Sequence, residues 1–270
     1  MSDPAAVPFG SPDRIEEPDG SAFVQSLARG LAVVRAFDAE HPRRTLADIA
    51  RATGLTRATA RRFLLTLETL GYVRAIDGAF ELTPRVLELG VSYLSALRLP
   101  EIAQPHLERL SRTVGESTSA SVLDGDEIVY VARVPVRRIM SVGITIGTRF
   151  PAFATSMGRV LLAALPPDAR DAALAGALPA LTPRTVTDPT ALRAELDRVA
   201  ADGWSLVEGE LESGLRALAA PVTRRGRTVA AINLSTGDAD ARVGELLPEL
   251  RATASAISAE LDLLPDGATL

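Results

Sequence analysis

Hydrophobic positions from residue 23 onward repeat in helical steps and then switch to alternation near residue 73. Leu27, Leu31, Val34 and Phe37 predict a first helix starting at Phe23. Thr45, followed three residues later by Asp48, has the capping-box spacing in which a hydroxyl and a carboxylate satisfy orphan amides, so a second helix begins at Leu46. Leu46, Ile49 and Ala50 share one face of it, Gly54 gives the backbone freedom to end it, and Leu55 plugs the core. Thr56 then caps a third helix running to about Leu70. Its buried stripe is Ala60, Phe63, Leu64, Leu67 and Leu70, which leaves Arg57, Ala58, Arg61, Arg62 and Thr66 on the other side. Val73 and Ala75 alternate with polar neighbours, Asp77-Gly78 suits a tight two-residue turn, and Phe80 and Leu82 alternate on the return.

Helix, glycine turn, arginine-bearing helix and hairpin in this order predict a winged helix-turn-helix over residues 23–83. A guanidinium fork donates to guanine O6 and N7 together or bridges phosphates, and short hydroxyls let the backbone come close, so the exposed face suits a major groove. The candidate contacts to duplex operator DNA are Thr45, Thr56, Arg57, Ala58, Thr59, Arg61, Arg62 and Thr66, with Arg74 and Gly78 in the wing. The ordinary alternative is a solvated basic face. Each piece alone is a weak signal, and their ordered combination is a strong one.

Past the hairpin, Thr83-Pro84 marks a helix entry, and residues 84–100 read as a linker helix too apolar for one narrow face, ended by Pro100. Residues 101–262 then read as a second domain. A helix at 102–114 precedes strands at 117–123 and 127–134, joined across Asp124-Gly125-Asp126, and a third strand at 140–146. Helices at 156–164, 168–175 and 191–202, strands at 204–207, 216–222 and 228–234, and a last helix at 243–261 complete it. The fold class is α+β, with a mainly antiparallel sheet. Residues 1–22 lack periodicity and read as a disordered tail, and residues 263–270 as a second tail.

Charge sharpens this division. The whole chain carries a net charge of −5, yet residues 23–85 hold ten arginines against six acidic residues, so positive charge gathers where the helix pair lies. All 29 basic residues are arginine, which suits a biased genome as well as any function. Cysteine is absent, so a disulfide framework or thiolate metal site is excluded. With no apolar leader and no apolar run long enough for a bilayer, the expectation is a soluble, cytoplasmic protein without a membrane partner.

Catalysis finds little support: His41 and His106 have no local metal or nucleophile partner, and Glu208, Glu210 and Glu212 read as one solvated strand edge or loop. No catalytic residue, metal or cofactor is assigned. A binding pocket is better supported. Thr155-Ser156-Met157-Gly158 places small residues before a helix, where free amides and the dipole favour an anion. Arg137, Arg138 and Arg149 lie upstream as guanidinium partners for a carboxylate. Asn233 and Ser235 interrupt an apolar strand on one face, lining a cavity or facing water.

Gln25-Ser26-Leu27-Ala28-Arg29-Gly30-Leu31, Leu46-Ala47-Asp48-Ile49-Ala50 with Gly54-Leu55, residues 64–73, and Gly214-Leu215-Arg216 ahead of Ala219-Ala220-Pro221-Val222 resemble the IclR family of bacterial transcriptional regulators across residues 23–261. Residues 132–163 resemble its branch governing aromatic-acid catabolism through the β-ketoadipate pathway. The resemblance implies a winged helix-turn-helix, a linker helix and a GAF-like effector domain, assembled as a homodimer or a dimer of dimers. It also implies a small carboxylic-acid effector held between the sheet and residues 154–158, with Ala154 and the polar positions Asn233 and Ser235 at the site. Val207 stands where that family often has an acid, and Ala217 where it has cysteine or serine, which implies a more apolar pocket suited to an aromatic or longer acid. Two readings compete with regulation: an enzyme processing a small acid with an appended DNA-binding-like domain, and a protein-docking scaffold.

Overall fold

The computed structural model describes residues 23–38, 40–90, 98–136, 143–237 and 243–265. The chain divides into two compact units, Met1–Tyr93 and Leu94–Leu270.

In the first unit α1 (Gln25–Arg35), α2 (Leu46–Thr53) and α3 (Arg57–Thr69) surround Val33, Phe37, Ile49, Ala50, Ala60, Leu64 and Val73. The capping box forms: the Asp48 amide donates to Thr45 Oγ1 at 3.3 Å, and the Thr45 amide donates to Asp48 Oδ2 at 3.2 Å. Hydrogen bonds from the Thr45 side chain and backbone hold the Asp48 carboxyl below its ordinary range. Gly54 ends α2 with φ 66°, a left-handed conformation that an L side chain adopts only with strain.

Three apolar expectations shift. Leu27 and Leu31 on α1 are 63% and 49% exposed, and Leu70 at the end of α3 is 50% exposed. The buried residue of α1 is Val33, Phe37 just past its end is buried as expected, and Gly30 is half-buried beside Phe63, whose ring lies at ordinary contact distance, 3.7 Å, from where a Cβ would stand. A stripe counted from large apolar residues alone is therefore turned away from the true one.

The hairpin β2 (Val73–Ile76) and β3 (Ala79–Leu82) closes through Asp77 and Gly78, both with positive φ, the geometry that matches the twist of the flanking strands. A short strand not anticipated, β1 (Arg43–Thr45), pairs antiparallel with β3 and gives the order β1-β3-β2. Glu81 ties the strands together by accepting from Arg43 and Arg74, which lowers its carboxyl below the usual range. Beyond it Thr83 caps a 3-10 turn, Pro84–Leu87, where an α-helical turn was expected. Helical backbone follows at residues 88–90, and residues 91–97 of the predicted linker lie outside the described residues.

The second unit is built on a six-stranded sheet, β4 (Ser117–Asp124), β5 (Glu127–Val134), β6 (Arg149–Pro151), β7 (Ser205–Glu208), β8 (Arg216–Arg224) and β9 (Arg227–Thr236), in the order β6-β5-β4-β9-β8-β7. Every pairing in it is antiparallel. Pro100 does not end a helix. It lies inside α4 (Arg98–Val114), which continues for fourteen residues beyond it. On one sheet face α4 and the last helix, α8 (Val243–Asp262), bury Leu107, Leu110, Leu218, Ile232, Leu234, Leu250 and Ile257. On the other, α5 (Ser156–Ala163), α6 (Pro167–Leu174) and α7 (Pro189–Asp202) pack with Ile128, Tyr130, Ala219 and Ala231.

The strand expected at 140–146 is not found at 143–146, and residues 140–142 lie outside the described residues. Gly147, at φ 87°, instead forms a turn whose amide donates to Tyr130 O at 2.8 Å, and the chain enters the sheet edge at β6. Thr148 stabilises that turn by accepting from the Thr145 amide at 2.9 Å.

Candidate nucleic-acid interface and effector cleft

In the first unit Thr56 caps α3 by accepting from the Thr59 amide at 3.2 Å, so the helix starts at Arg57. Arg57, Ala58, Arg61, Arg62 and Thr66 are exposed, while Ala60 and Leu64 face the core. Among the described residues none of the three arginines takes an ion-pair partner, so all five donors of each guanidinium are available to a polyanion. The wing is less free than expected: Arg74 is held by Glu81. Thr45 spends its hydroxyl on Asp48 Oδ2 at 2.7 Å, and Thr66 donates to Arg62 O at 2.9 Å. Gly78 is exposed at the tip of the hairpin.

In the second unit the sheet register sets the face from which Asn233, Ser235, Ala217 and Val207 line a cleft. Ser119, Asn233 and Ala219 stand side by side on β4, β9 and β8, and in the neighbouring row so do Ser117, Ser235, Ala217 and Val207. The face is therefore polar on β4 and β9 and apolar on β8 and β7. Ala154, Thr155, Ser156 and Met157 close one side, and Tyr130, Ile144, Leu211 and Leu215 complete a cleft enclosing about 380 Å³, its open mouth included. The space inside it that a solvent molecule can occupy is about 20 Å³, room for about one water, so a ring-sized ligand has to part these walls.

Inside it two polar atoms are buried with no hydrogen-bond partner, Ser156 Oγ and Asn233 Oδ1. An unsatisfied buried polar group costs about 1–3 kcal/mol, so the pair marks where a polar ligand atom belongs. Asn233 Nδ2 is occupied, donating to Ser235 Oγ at 2.9 Å. Burial pushes the Tyr130 hydroxyl up to about 12, with the charge of Arg133 pulling the other way, so it remains a neutral phenol.

Most of the pocket residues expected from sequence converge here: Ala154, Thr155, Ser156, Met157, Val207, Ala217, Asn233 and Ser235. Two described ones do not join them. Gly158 lies beneath the cleft, where its amide donates to Thr155 Oγ1 at 3.0 Å and an added Cβ would stand 2.1 Å from Ala152 O. Its role is close packing, and its amide is not free for an anion. Arg149 points elsewhere and is exposed, paired with Glu127 at 2.6 Å and Asp124 at 2.8 Å. Arg137 and Arg138 lie outside the described residues.

Glu210 also departs from expectation. It is buried, and its carboxylate accepts from Arg159 Nη2 at 2.6 Å and from the Val186 amide at 2.9 Å. Alternation of Glu208, Glu210 and Glu212 suggested a solvated edge, because nothing near them in sequence showed that an arginine on α5 would face the middle one. His106 is buried and 2.8 Å from Glu260, and His41 is exposed beside Asp38. Among the described residues there is no grouping of side chains able to hold a metal ion, and no helix long and apolar enough to cross a membrane.

A cationic recognition helix in one unit and a cleft with unpartnered buried polar atoms in the other are the marks of a DNA-binding transcriptional regulator with an effector-binding domain. Residues 26–77 match the IclR helix-turn-helix domain, and residues 91–259 match the bacterial transcriptional regulator IclR C-terminal domain. The chain belongs to the IclR family. It is 44% identical over 217 residues to the Pca regulon regulatory protein of Pseudomonas putida, covering 79% of this chain and 75% of that one. It is 37% identical over 255 residues to the p-hydroxybenzoate hydroxylase transcriptional activator of Acinetobacter baylyi, covering 90% and 94%. The crystal structure of an IclR homolog complexed with 4-hydroxybenzoate, from Microbacterium hydrocarbonoxydans, superposes with a TM-score of 0.80 at 32% identity, covering 87% of this chain and 98% of that one. These relatives are named as regulators, and the enzyme reading has no support among them.

Proposed function

We propose that this regulator answers to a small aromatic or dicarboxylic acid and governs aromatic-compound catabolism in the cytoplasm. The observation that carries the reading is the unpartnered pair Ser156 Oγ and Asn233 Oδ1, buried in a cleft whose other walls are mainly apolar. Apolar walls with a few convergent polar atoms suit a flat ring bearing polar ends. The names of the two curated relatives and the 4-hydroxybenzoate in the related crystal structure support the same ligand class. In this reading residues 84–100 link the DNA-reading unit, 23–83, to the sensing unit, 101–262. A bound acid shifts the population between two arrangements of the reading heads, which requires different affinity for the two.

Titration with 4-hydroxybenzoate, protocatechuate and β-ketoadipate tests this. At a hundred times its dissociation constant an acid adds about 2.7 kcal/mol of stability, and the second unit melts roughly 5–10 °C higher. If no small carboxylate moves the melting temperature or operator binding, the effector reading fails.

The working form is a homo-oligomer, a dimer or a dimer of dimers. Val24, Leu27 and Leu31 support it: they lie on one side of α1 and are 59%, 63% and 49% exposed, an apolar face that a lone unit leaves in water. Leu27→Glu with Leu31→Glu should lower the sedimentation coefficient toward that of a smaller assembly. An unchanged coefficient takes α1 out of the interface.

A further inference from the structure

A carboxylate entering an apolar cleft needs a counter-charge, and Arg149 is already committed to Glu127 and Asp124. The register of the sheet supplies another candidate. Arg133 on β5 is paired with Ser119 on β4, and Ser119 with Asn233 on β9, so the three stand in one row of the sheet, of which Asn233 lines the cleft and Ser119 and Arg133 continue beyond its lining. Two strand spacings, roughly 10 Å, separate Arg133 from Asn233 along the backbone. The arginine side chain covers part of that gap: its Nη1 donates to Ser119 Oγ at 3.3 Å, which carries the guanidinium toward Asn233.

Arg133 is half-buried, and its Nε is buried with no hydrogen-bond partner. Among the described residues no carboxylate pairs with it. Burial draws its pKa below the ordinary arginine value, opposed by Tyr130, and Tyr130 is itself a wall of the cleft. A desolvated guanidinium with spare donors and no counter-ion is the environment in which an anion binds most strongly.

The opposite end of the cleft is less suited to a carboxylate. Gly158's amide is capped by Thr155, and Asn233 presents an acceptor oxygen, which repels a carboxylate and welcomes a hydroxyl. Resting on the effector reading above, we propose that Arg133 is the carboxylate anchor of the cleft, with Asn233 Oδ1 and Ser156 Oγ receiving a hydroxyl at the ligand's other end. The ligand class is then a hydroxylated aromatic carboxylate lying with its acid toward β5 and its hydroxyl toward α5.

Calorimetric titration of the full chain with 4-hydroxybenzoate, 4-hydroxybenzamide and benzoate separates the two ends. Wild type should prefer the acid to the uncharged amide. Arg133→Gln should weaken the acid by about 10–100-fold, the worth of a charge-assisted hydrogen bond, and leave the amide unchanged, while Arg133→Lys keeps part of the preference. Ser156→Ala should instead narrow the gap between 4-hydroxybenzoate and benzoate. Wild-type affinity for the acid in Arg133→Gln overturns the anchor and leaves the effector reading standing. Equal loss of acid and amide in both Arg133 variants makes the residue structural and likewise overturns it. If wild type binds none of the three, the effector reading and the anchor fall together.

Discussion

Arg57→Ala, Arg61→Ala and Arg62→Ala combined should abolish duplex binding at physiological salt while leaving the protein folded. The three side chains are exposed on α3 and unpaired among the described residues, so no ion pair of the fold is lost with them. Alanine is also the best helix former, so α3 persists. Each phosphate contact contributes a slope of about −0.9 in log affinity against log salt, and loss of three flattens the line by about 2.7 for each protomer that engages the operator. Affinity should fall by roughly a thousandfold or more, since a charge-assisted hydrogen bond is worth about 1.5–3 kcal/mol. Fluorescence anisotropy with operator DNA across a salt series reads both quantities. The single variants divide the face: an arginine on phosphate weakens all sequences alike, whereas one on a guanine edge relaxes specificity at that base pair. A triple variant with the wild-type slope would place the DNA-binding surface elsewhere.

Local chemistry made the first unit readable before any coordinates. The capping box at Thr45 and Asp48, the left-handed Gly54 and the Asp77-Gly78 turn are each decided by a few adjacent residues, and each stands where the pattern put it. What escaped was set by distant partners. Gly30 faces Phe63 of another helix at contact distance, and a glycine leaves no mark in a hydrophobic stripe. Strand β1 exists because three residues find the edge of β3, too short a run to announce itself.

The cleft divides the same way. Asn233 and Ser235 stood out as polar residues in an apolar strand, and Thr155 to Met157 as small residues before a helix. Tyr130 and Leu211 carried no signal of a site, Leu215 only that of a family motif, and the fold gathers all three round one space. Sequence pointed to Arg149 as the partner of a carboxylate and passed over Arg133, one charge within a predicted strand. Glu127 and Asp124 beside the former and the row of Ser119 and Asn233 beside the latter distinguish them, and both facts belong to cross-strand pairing.

Loss of an ion pair between a helix and a distant stretch of the same chain should produce the largest stability loss in the second unit. Arg159 on α5 is only 3% exposed, donates through Nε to Phe153 O at 2.9 Å and through Nη2 to Glu210 at 2.6 Å. Glu210 also receives the Val186 amide, and its carbonyl accepts the Thr185 hydroxyl at 2.7 Å. Arg159→Met leaves that carboxylate buried without a cation, a loss of about 3–5 kcal/mol, and lowers the melting temperature by roughly 6–20 °C. Adding Glu210→Met removes the stranded charge, so the double variant should regain most of the stability, because a buried ion pair and well-packed apolar side chains are often near parity. Binding should not recover with it. Phe153 precedes the cleft residue Ala154, and Glu210 precedes Leu211, so the pair fixes two walls at once. The stable double variant should bind 4-hydroxybenzoate about tenfold more weakly, a difference of roughly 1.4 kcal/mol. Wild-type melting in the single variant would show that water reaches Glu210, and wild-type affinity in the double variant would show that the walls are held by packing alone.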